Sequence, residues 1–304
     1  MKEQRLLFLL LLTTLSLSAQ VKGVVLDSIS GKPIAYVNIW VENENIGTTS
    51  EENGIFLLEI KEEKNIVFSA LGYETKILKS SEIEKVNLYP KVYEMPEVVL
   101  EIPKNNEEIE VGNYESSGFR WHLNYNFSAI YFKPTEETEK HPYLKEIKFH
   151  TISKIKSSKI RIRIVECNSD LSIGKDIIDE EILVDIKKGN KKNIKDVSSL
   201  NIKIPEKGFY IVLEKLLIEE NKYSFKVNYK NQSGQNNNYR TFTYQPNFAY
   251  LPSEDNNILY ANNTLNWTKH DKVKIKNPKS YENLLMRKYH DKYLVPSLEI
   301  TLTN

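Results

Sequence analysis

The feature that most constrains the fold is a succession of short runs rich in Val, Ile, Leu and Phe, separated by turn-forming and charged residues. Runs of this kind without a competing helical period are typical of β-sandwiches. In the first third of the chain they cover residues 21–27, 35–42, 54–60 and 65–70. Further on they cover residues 121–132, 144–151, 159–167, 181–186, 200–204, 209–218, 223–229, 239–244 and 297–303. The sequence therefore predicts an all-β protein with two β-sandwich domains.

The clearest strand signal is the alternation of basic residues and isoleucines over residues 159–165. Successive side chains of a strand point to opposite faces, so the isoleucines are expected to face the core. The basic row, which includes Arg161 and Arg163, is expected to face solvent, with an anion-binding site as the alternative. Glu181 and Asp185 alternate with apolar residues in the same way and are also expected on a solvated face.

The first 19 residues have the organisation of a secretory signal peptide. Lys2 and Arg5 precede an unbroken apolar run over residues 6–12, and small residues lead to Ala19. The apolar run is too short to span a bilayer, so no transmembrane span is expected in the mature chain. We expect an exported protein of the periplasm, the outer-membrane surface or the extracellular space.

Charge and cysteine content narrow the possibilities further. The full chain carries 42 Lys and Arg residues against 41 Asp and Glu residues, so the basic field that attracts nucleic acid is absent. We therefore expect no nucleic-acid partner. The single cysteine, Cys167, has no intramolecular disulfide partner. It is expected to be a buried core thiol, with a reactive nucleophile as the alternative.

Four segments in the first third of the chain carry a family resemblance: residues 21–27, 31–39, 47–56 and 68–73. In this order they resemble the carboxypeptidase regulatory-like domain, a transthyretin-type sandwich of exported bacterial proteins. The resemblance implies a transthyretin/Ig-like sandwich over residues 20–100. It implies no catalytic residue, since this domain accompanies metallocarboxypeptidases without hydrolysing anything itself.

A polar segment containing Pro103 separates this domain from the rest of the chain, and we expect a linker over residues 101–118. Residues 119–304 resemble a C-terminal β-sandwich that accompanies the regulatory-like domain in exported bacterial proteins. The segments that carry this resemblance are residues 149–150, 161–165, 174–178, 205–214 and 296–301. It implies a jelly-roll-like fold and assigns no activity.

Sequence motifs for catalysis and for metal binding are missing. The five histidines, His122, His141, His150, His270 and His290, do not have the spacing of a hydrolytic zinc site. Neither a nucleophile elbow nor a phosphate-binding glycine loop occurs among the 11 glycines. We therefore expect no enzyme activity, catalytic residue, metal or cofactor. A site assembled from distant residues remains an alternative.

The most suggestive segment, residues 239–267, interleaves aromatic residues with asparagines. Aromatic rings beside amide groups suit the binding of a sugar or a peptide. The candidate ligand-binding residues are Tyr244, Phe248, Tyr250, Tyr260 and Trp267. The alternative interpretation is that the aromatic residues are strand core and the asparagines are turns.

Three functions are consistent with these features. The preferred hypothesis is an exported, non-enzymatic cell-envelope protein that acts as a binding or assembly module for an envelope protein or a glycan. One alternative is a glycan-binding accessory protein of polysaccharide uptake. The other is a hydrolase whose active site is dispersed along the sequence. The oligomeric state stays open.

Overall fold

The computed structural model describes residues 19–91, 107–115, 125–230 and 236–304. Residues 1–18 of the expected signal peptide therefore lie outside the described residues. The boundary between two compact units falls after Lys91. Both units are built mainly from β-strands, which confirms the prediction of an all-β fold with two sandwich domains. None of the described helices is long and apolar enough to cross a membrane.

The first unit has seven strands among residues 19–91. They are β1 (Ala19–Asp27), β2 (Asn38–Val41), β3 (Gly47–Thr49), β4 (Ile55–Ile60), β5 (Asn65–Ser69), β6 (Lys76–Lys79) and β7 (Lys85–Leu88). One sheet has the order β4-β1-β7, in which β1 and β7 are parallel, and the other has the order β3-β2-β5-β6. The fold therefore follows the short apolar runs of the sequence.

The core of this unit lies between its two sheets. Along β4, exposed and buried residues alternate strictly, so Phe56, Leu58 and Ile60 point inward. Phe56 meets Phe68 of the other sheet edge to face, with 5.5 Å between ring centroids. Gly54 precedes β4 with a φ of +74°, and a Cβ there would lie 2.6 Å from the Val25 carbonyl oxygen. Only glycine fits this turn.

The second unit contains thirteen strands and one short α-helix in its described part. The elements are β8 (Glu108–Asn113), β9 (Phe127–Phe132), α1 (Glu136–Lys140), β10 (Tyr143–Cys167), β11 (Ile173–Asp176), β12 (Ile182–Asp196), β13 (Phe209–Lys215), β14 (Lys222–Lys230), β15 (Asn236–Tyr244), β16 (Asn247–Phe248), β17 (Tyr250–Ser253), β18 (Ile258–Ala261), β19 (Tyr293–Pro296) and β20 (Leu298–Thr303). The expected strand at residues 200–204 is wrong, because a 3-10 turn, Ser198–Leu200, and a single bridge at Lys203 occupy this place.

Strand β10 organises this unit. It replaces two strands that the sequence predicted separately, at residues 144–151 and 159–167, and it pairs with β12 along most of its 25 residues. On its other side β10 pairs first with β20 and later with β13. The register with β12 shifts between Ser153 and Ser157. Interruptions of this kind bend a strand and let it pass from one part of a sheet to another.

The core of the second unit draws on both halves of β10. Ile147 and Phe149 come from the first half, and Ile160 and Ile162 come from the second half. From Ile147 to the register shift the core-facing positions are therefore odd-numbered, and from Ile160 onward they are even-numbered. Since alternation is strict within a regular strand, the irregular segment allows both halves to contribute to one core.

The expected linker over residues 101–118 is wrong in its middle part. Residues 108–113 form β8, which pairs with β20 at the edge of the largest sheet. Ile109 and Val111 pack against the core, and Glu108 forms an ion pair with Lys145. The alternation of glutamate with apolar residues is therefore a strand pattern. Its high charge made it resemble a solvated connector.

The expectation of a solvated basic row on β10 is also wrong for Arg161, which is 2% exposed. Its guanidinium contacts Glu214 at 3.2 Å and Glu181 at 2.7 Å. Burial raises the pKa of Glu181, while Arg161 opposes that rise. Arg163 donates two hydrogen bonds to Asp176, at 2.7 and 2.8 Å. The face of β10 opposite its core-facing isoleucines is therefore also covered, and the charges on this covered face compensate one another.

Small residues accompany these ion pairs on the covered face. Cys167 is buried there, in a cluster with Val165, Val212 and Ala129. Burial raises the pKa of the Cys167 thiol, which keeps the sulfur in its unreactive protonated form at neutral pH. The interpretation of Cys167 as a core thiol is confirmed.

Lys215, the last residue of β13, follows the core-facing residues Ile211 and Leu213 at alternate positions. Its ammonium lies 5.9 Å from the centroid of the Phe248 ring and makes no ion pair within the described residues. Desolvation lowers its pKa from 10.5 to about 8. The folded chain therefore binds the Lys215 proton less tightly than the unfolded chain does.

This difference predicts a pH dependence of stability. Between pH 8 and 10.5 the unfolded chain binds more of the Lys215 proton than the folded chain does. The free energy of unfolding therefore increases as the pH rises through this range. Lys215→Met removes this pH dependence, and it stabilises the protein at pH 7 by about 1–3 kcal/mol because no charged group is desolvated. Denaturant unfolding of both proteins from pH 7 to 10.5 measures the difference. Parallel stability curves would contradict the prediction.

Candidate binding surface

Three of the five predicted ligand-binding residues are core residues. Phe248, Tyr250 and Tyr260 are at most 3% exposed and belong to the main core of the second unit. Side chains buried to this extent present no face to a ligand at the surface. The structure thus corrects the prediction of an aromatic binding surface for these three residues.

Their contacts explain why these aromatic residues are buried. The Tyr260 hydroxyl donates a hydrogen bond of 2.5 Å to the Leu294 carbonyl oxygen, and its ring stacks on Tyr125 at 5.0 Å. Tyr250 lies 6.5 Å from Tyr260, and burial raises the pKa of Tyr250 to about 12. Buried tyrosines with satisfied hydroxyl groups are packing residues.

The remaining two candidates lie in different places. Trp267 packs edge to face on Phe127, with 6.1 Å between ring centroids, beside the cluster that contains Cys167. Tyr244 ends β15 and contacts Phe242 at 5.6 Å. The structure therefore does not bring the five predicted residues together into one surface.

An exposed aromatic surface exists instead on the hairpin of β14 and β15. In the described part of the chain these two strands pair only with each other, from Lys222↔Tyr244 to Lys230↔Asn236. Tyr229, Tyr239 and Phe242 are 48%, 53% and 51% exposed. We call this element the β14–β15 hairpin. Exposed apolar groups that lie close together mark binding surfaces more often than single exposed residues do.

Two buried amides anchor the base of the hairpin. Asn221 precedes β14, and its side chain bonds to the Lys159 amide and carbonyl at 2.7 Å each and to the Leu216 carbonyl at 2.9 Å. Gln245 follows β15 and accepts a hydrogen bond of 3.1 Å from the Lys154 amide. Both side chains thus attach the hairpin beside the irregular segment of β10.

The strand register gives the hairpin two different faces. We call one of them the aromatic face. It carries Tyr223, Phe225, Val227 and Tyr229 from β14 and Asn237, Tyr239, Thr241 and Thr243 from β15. Tyr229 and Tyr239 meet there edge to face at 5.9 Å. Near the base, the Lys154 ammonium lies 5.0 Å from the Tyr223 ring centroid. The outer part of the aromatic face is the more accessible one.

The opposite face carries positive charge, and we call it the cationic face. Lys226 and Arg240 stand directly opposite each other there, and both are exposed. Next to this pair, the Lys222 ammonium lies 4.7 Å from the Phe242 ring centroid. Neither strand of the hairpin contains an acidic residue. The cationic face is therefore a local concentration of positive charge in a chain that is nearly neutral overall.

The sequence prediction omits Tyr229 and Arg240, although a signal for them was present. Residues 222–229 alternate polar or cationic residues with aromatic or aliphatic ones, which predicts a strand with two distinct faces. What the pattern did not reveal is that neither face of this strand would be covered by the core.

The histidines offer little for metal chemistry. His141 and His150 are buried with their Nδ1 atoms 2.8 Å from the Glu137 carbonyl and 3.3 Å from the Glu115 carbonyl. His290 accepts a hydrogen bond from the Ile275 amide, and His122 lies outside the described residues. Among the residues that the structure describes, no group of three or more His, Cys, Asp or Glu side chains is placed to hold a metal ion.

The fold defines an all-β protein in which a seven-stranded N-terminal sandwich precedes a larger β unit that includes the separate β14–β15 hairpin. Residues 21–100 match the family model of the CarboxypepD_reg-like domain. The N-terminal unit is therefore a carboxypeptidase regulatory-like domain, which confirms what the sequence motifs predicted. A search of curated proteins found no match to the chain.

The anchor of the hairpin gives a testable consequence. Asn221→Ala leaves the buried amide and carbonyl groups of Lys159 and the Leu216 carbonyl without their partner, so it destabilises the second unit by about 3 kcal/mol. Amide hydrogen exchange along β14 and β15 becomes faster. Denaturant unfolding and exchange mass spectrometry measure both effects. Asn228→Ala, on the exposed cationic face, is the control and changes stability by about 0.5 kcal/mol at most.

Proposed function

We propose that the protein is an exported, non-enzymatic binding or assembly module of the cell envelope and that the β14–β15 hairpin is its contact surface. The observation that carries the proposal is the high exposure of Tyr229, Tyr239 and Phe242 on an element anchored by buried amides. Aromatic residues are enriched at interfaces, where they bury a large area at a low cost in conformational entropy.

The backbone of the hairpin supports the same role. Within the described residues, β14 and β15 exchange hydrogen bonds only with each other, so the outer edge of each strand has free donors and acceptors. Nine-residue strands extend over roughly 30 Å, which is long enough for an extended ligand. Open edges of this kind pair with added strands or bind other polar chains.

The charged residues of the covered sheet face support a non-enzymatic role. Glu214 is fully buried and paired with Arg161, and Asp176 accepts two hydrogen bonds from Arg163. Carboxylates held by arginines in this manner have little freedom to act as a general acid or base. Their arrangement is that of an internal ion-pair network.

The alternative of a glycan-binding accessory protein is favoured by one specific observation. Asn237 lies directly opposite Tyr229 on the aromatic face and shares that face with Tyr239, near the outer end of the hairpin. Amide groups can exchange hydrogen bonds with sugar hydroxyl groups, while an aromatic ring stacks on the apolar face of the sugar. A glycan is therefore the partner class that the local chemistry suits best.

Export is tested on the protein isolated from its own cells. We expect the protein in an envelope or extracellular fraction, and we expect mass spectrometry to give Gln20 as its first residue. A cytosolic protein that retains Met1–Ala19 would contradict the proposed location.

The contact surface is tested with the mature chain, residues 20–304. We expect saturable binding to isolated cell envelopes or to a component of a glycan array, at least about tenfold weaker for Tyr239→Ala/Phe242→Ala because two exposed rings are lost. Ile77→Ala/Tyr89→Ala, which removes two residues exposed to a similar extent on the first unit, is the matched control. Equal losses in both variants, or turnover of a bound component, would overturn the proposal.

A further inference from the structure

We propose that the cationic face of the hairpin binds an acidic polysaccharide, whose carboxylate or phosphate groups lie between Lys226 and Arg240. This inference rests on the proposed function, because it names the chemical class of ligand for the same hairpin. It adds a charge requirement and a position on the hairpin that the proposed function does not contain.

The first argument is the position of the two cations. Lys226 and Arg240 are directly opposite in the strand register, where like charges repel each other. Both side chains are exposed, and neither makes an ion pair within the described residues. An anion placed between them turns this repulsion into two attractions. The arginine guanidinium is suited to bind a carboxylate or a phosphate with two hydrogen bonds.

The second argument is the order of groups along the cationic face. The pair Asn228↔Asn238 lies on one side of the two cations, and Phe242, opposite Ser224, lies on the other side. Same-face neighbours along a strand are separated by roughly 7 Å, which is comparable to the length of one sugar unit. The face therefore offers an amide pair, a cationic pair and an exposed ring in succession.

These groups favour a glycan over other anionic partners. A sugar acid combines hydroxyl groups for the amides, an acidic group for Lys226 and Arg240, and an apolar ring face for Phe242. An acidic peptide would use the charges and could bond to the asparagines through its backbone, but Asp and Glu side chains offer no apolar ring face to Phe242. A lipid surface calls for several apolar side chains to insert, and Phe242 is the only large exposed ring on this face.

The test uses the mature chain and four kinds of probe. Polygalacturonate, alginate and a phosphate-bearing teichoic acid represent acidic polysaccharides, and dextran is the neutral one. Poly-glutamate and phosphatidylglycerol vesicles represent an acidic peptide and an anionic lipid surface. Binding is measured by calorimetry or sedimentation at low and at physiological salt, since salt screens exposed charges.

We expect at least one of the acidic polysaccharides to bind, with no binding of dextran. Lys226→Gln/Arg240→Gln should weaken this binding at least about tenfold, because it removes both charged partners of the anion. Lys187→Gln/Lys188→Gln, which removes two exposed charges from β12, is the matched control and should change it less than about twofold. Thermal unfolding confirms that all variants remain folded.

Several results would overturn the inference, and they are distinguishable from failure of the proposed function. The inference fails if no acidic polysaccharide binds, if both charge variants lose binding equally, or if only poly-glutamate or the vesicles bind. If Tyr239→Ala/Phe242→Ala nevertheless loses binding to cell envelopes, the hairpin remains the contact surface and only the ligand class is wrong. If that variant binds envelopes normally, both proposals fail.

Discussion

The pairing of β10 with β12 is the interaction on which the rest of the second unit depends. These strands stay paired on both sides of the register shift between Ser153 and Ser157, while β10 exchanges β20 for β13 on its other edge. The shift lets Ile147 and Phe149, and later Ile160 and Ile162, enter the same core. A regular strand of this length would send one of the two sets to the opposite face.

The irregular segment of β10 also determines where the hairpin stands. At the two ends of the hairpin, Asn221 bonds to the main chain of Lys159, just after the irregular segment, and Gln245 bonds to the amide of Lys154, within it. These hydrogen bonds favour one arrangement, since a displaced hairpin would leave the main-chain groups of Lys159 and the Lys154 amide without their partners. The hairpin can therefore expose aromatic rings on an element whose base is held rigidly.

The two units differ in the side chains that they expose to solvent. The first unit is a carboxypeptidase regulatory-like domain in which β4 and β7 alternate exposed and buried residues around a core between the two sheets. The second unit pairs the buried Arg161 with Glu214, and Arg163 with Asp176, while Lys226 and Arg240 of the hairpin are exposed to solvent. An element that adds exposed rings and cations outside the core fits a binding function, because neither feature helps the core to fold.

The sequence by itself determined the all-β class, the first sandwich with its family and most of the strands, because alternation and turn residues are local signals. It did not distinguish Arg161 from Arg240, since both are basic residues in alternating strands. The tertiary structure buried Arg161 between Glu181 and Glu214 and left Arg240 in solvent beside Lys226. It likewise buried Tyr260 and exposed Tyr239. The reason is physical: alternation decides which side chains share a face, but contacts between residues distant in sequence decide which faces are covered.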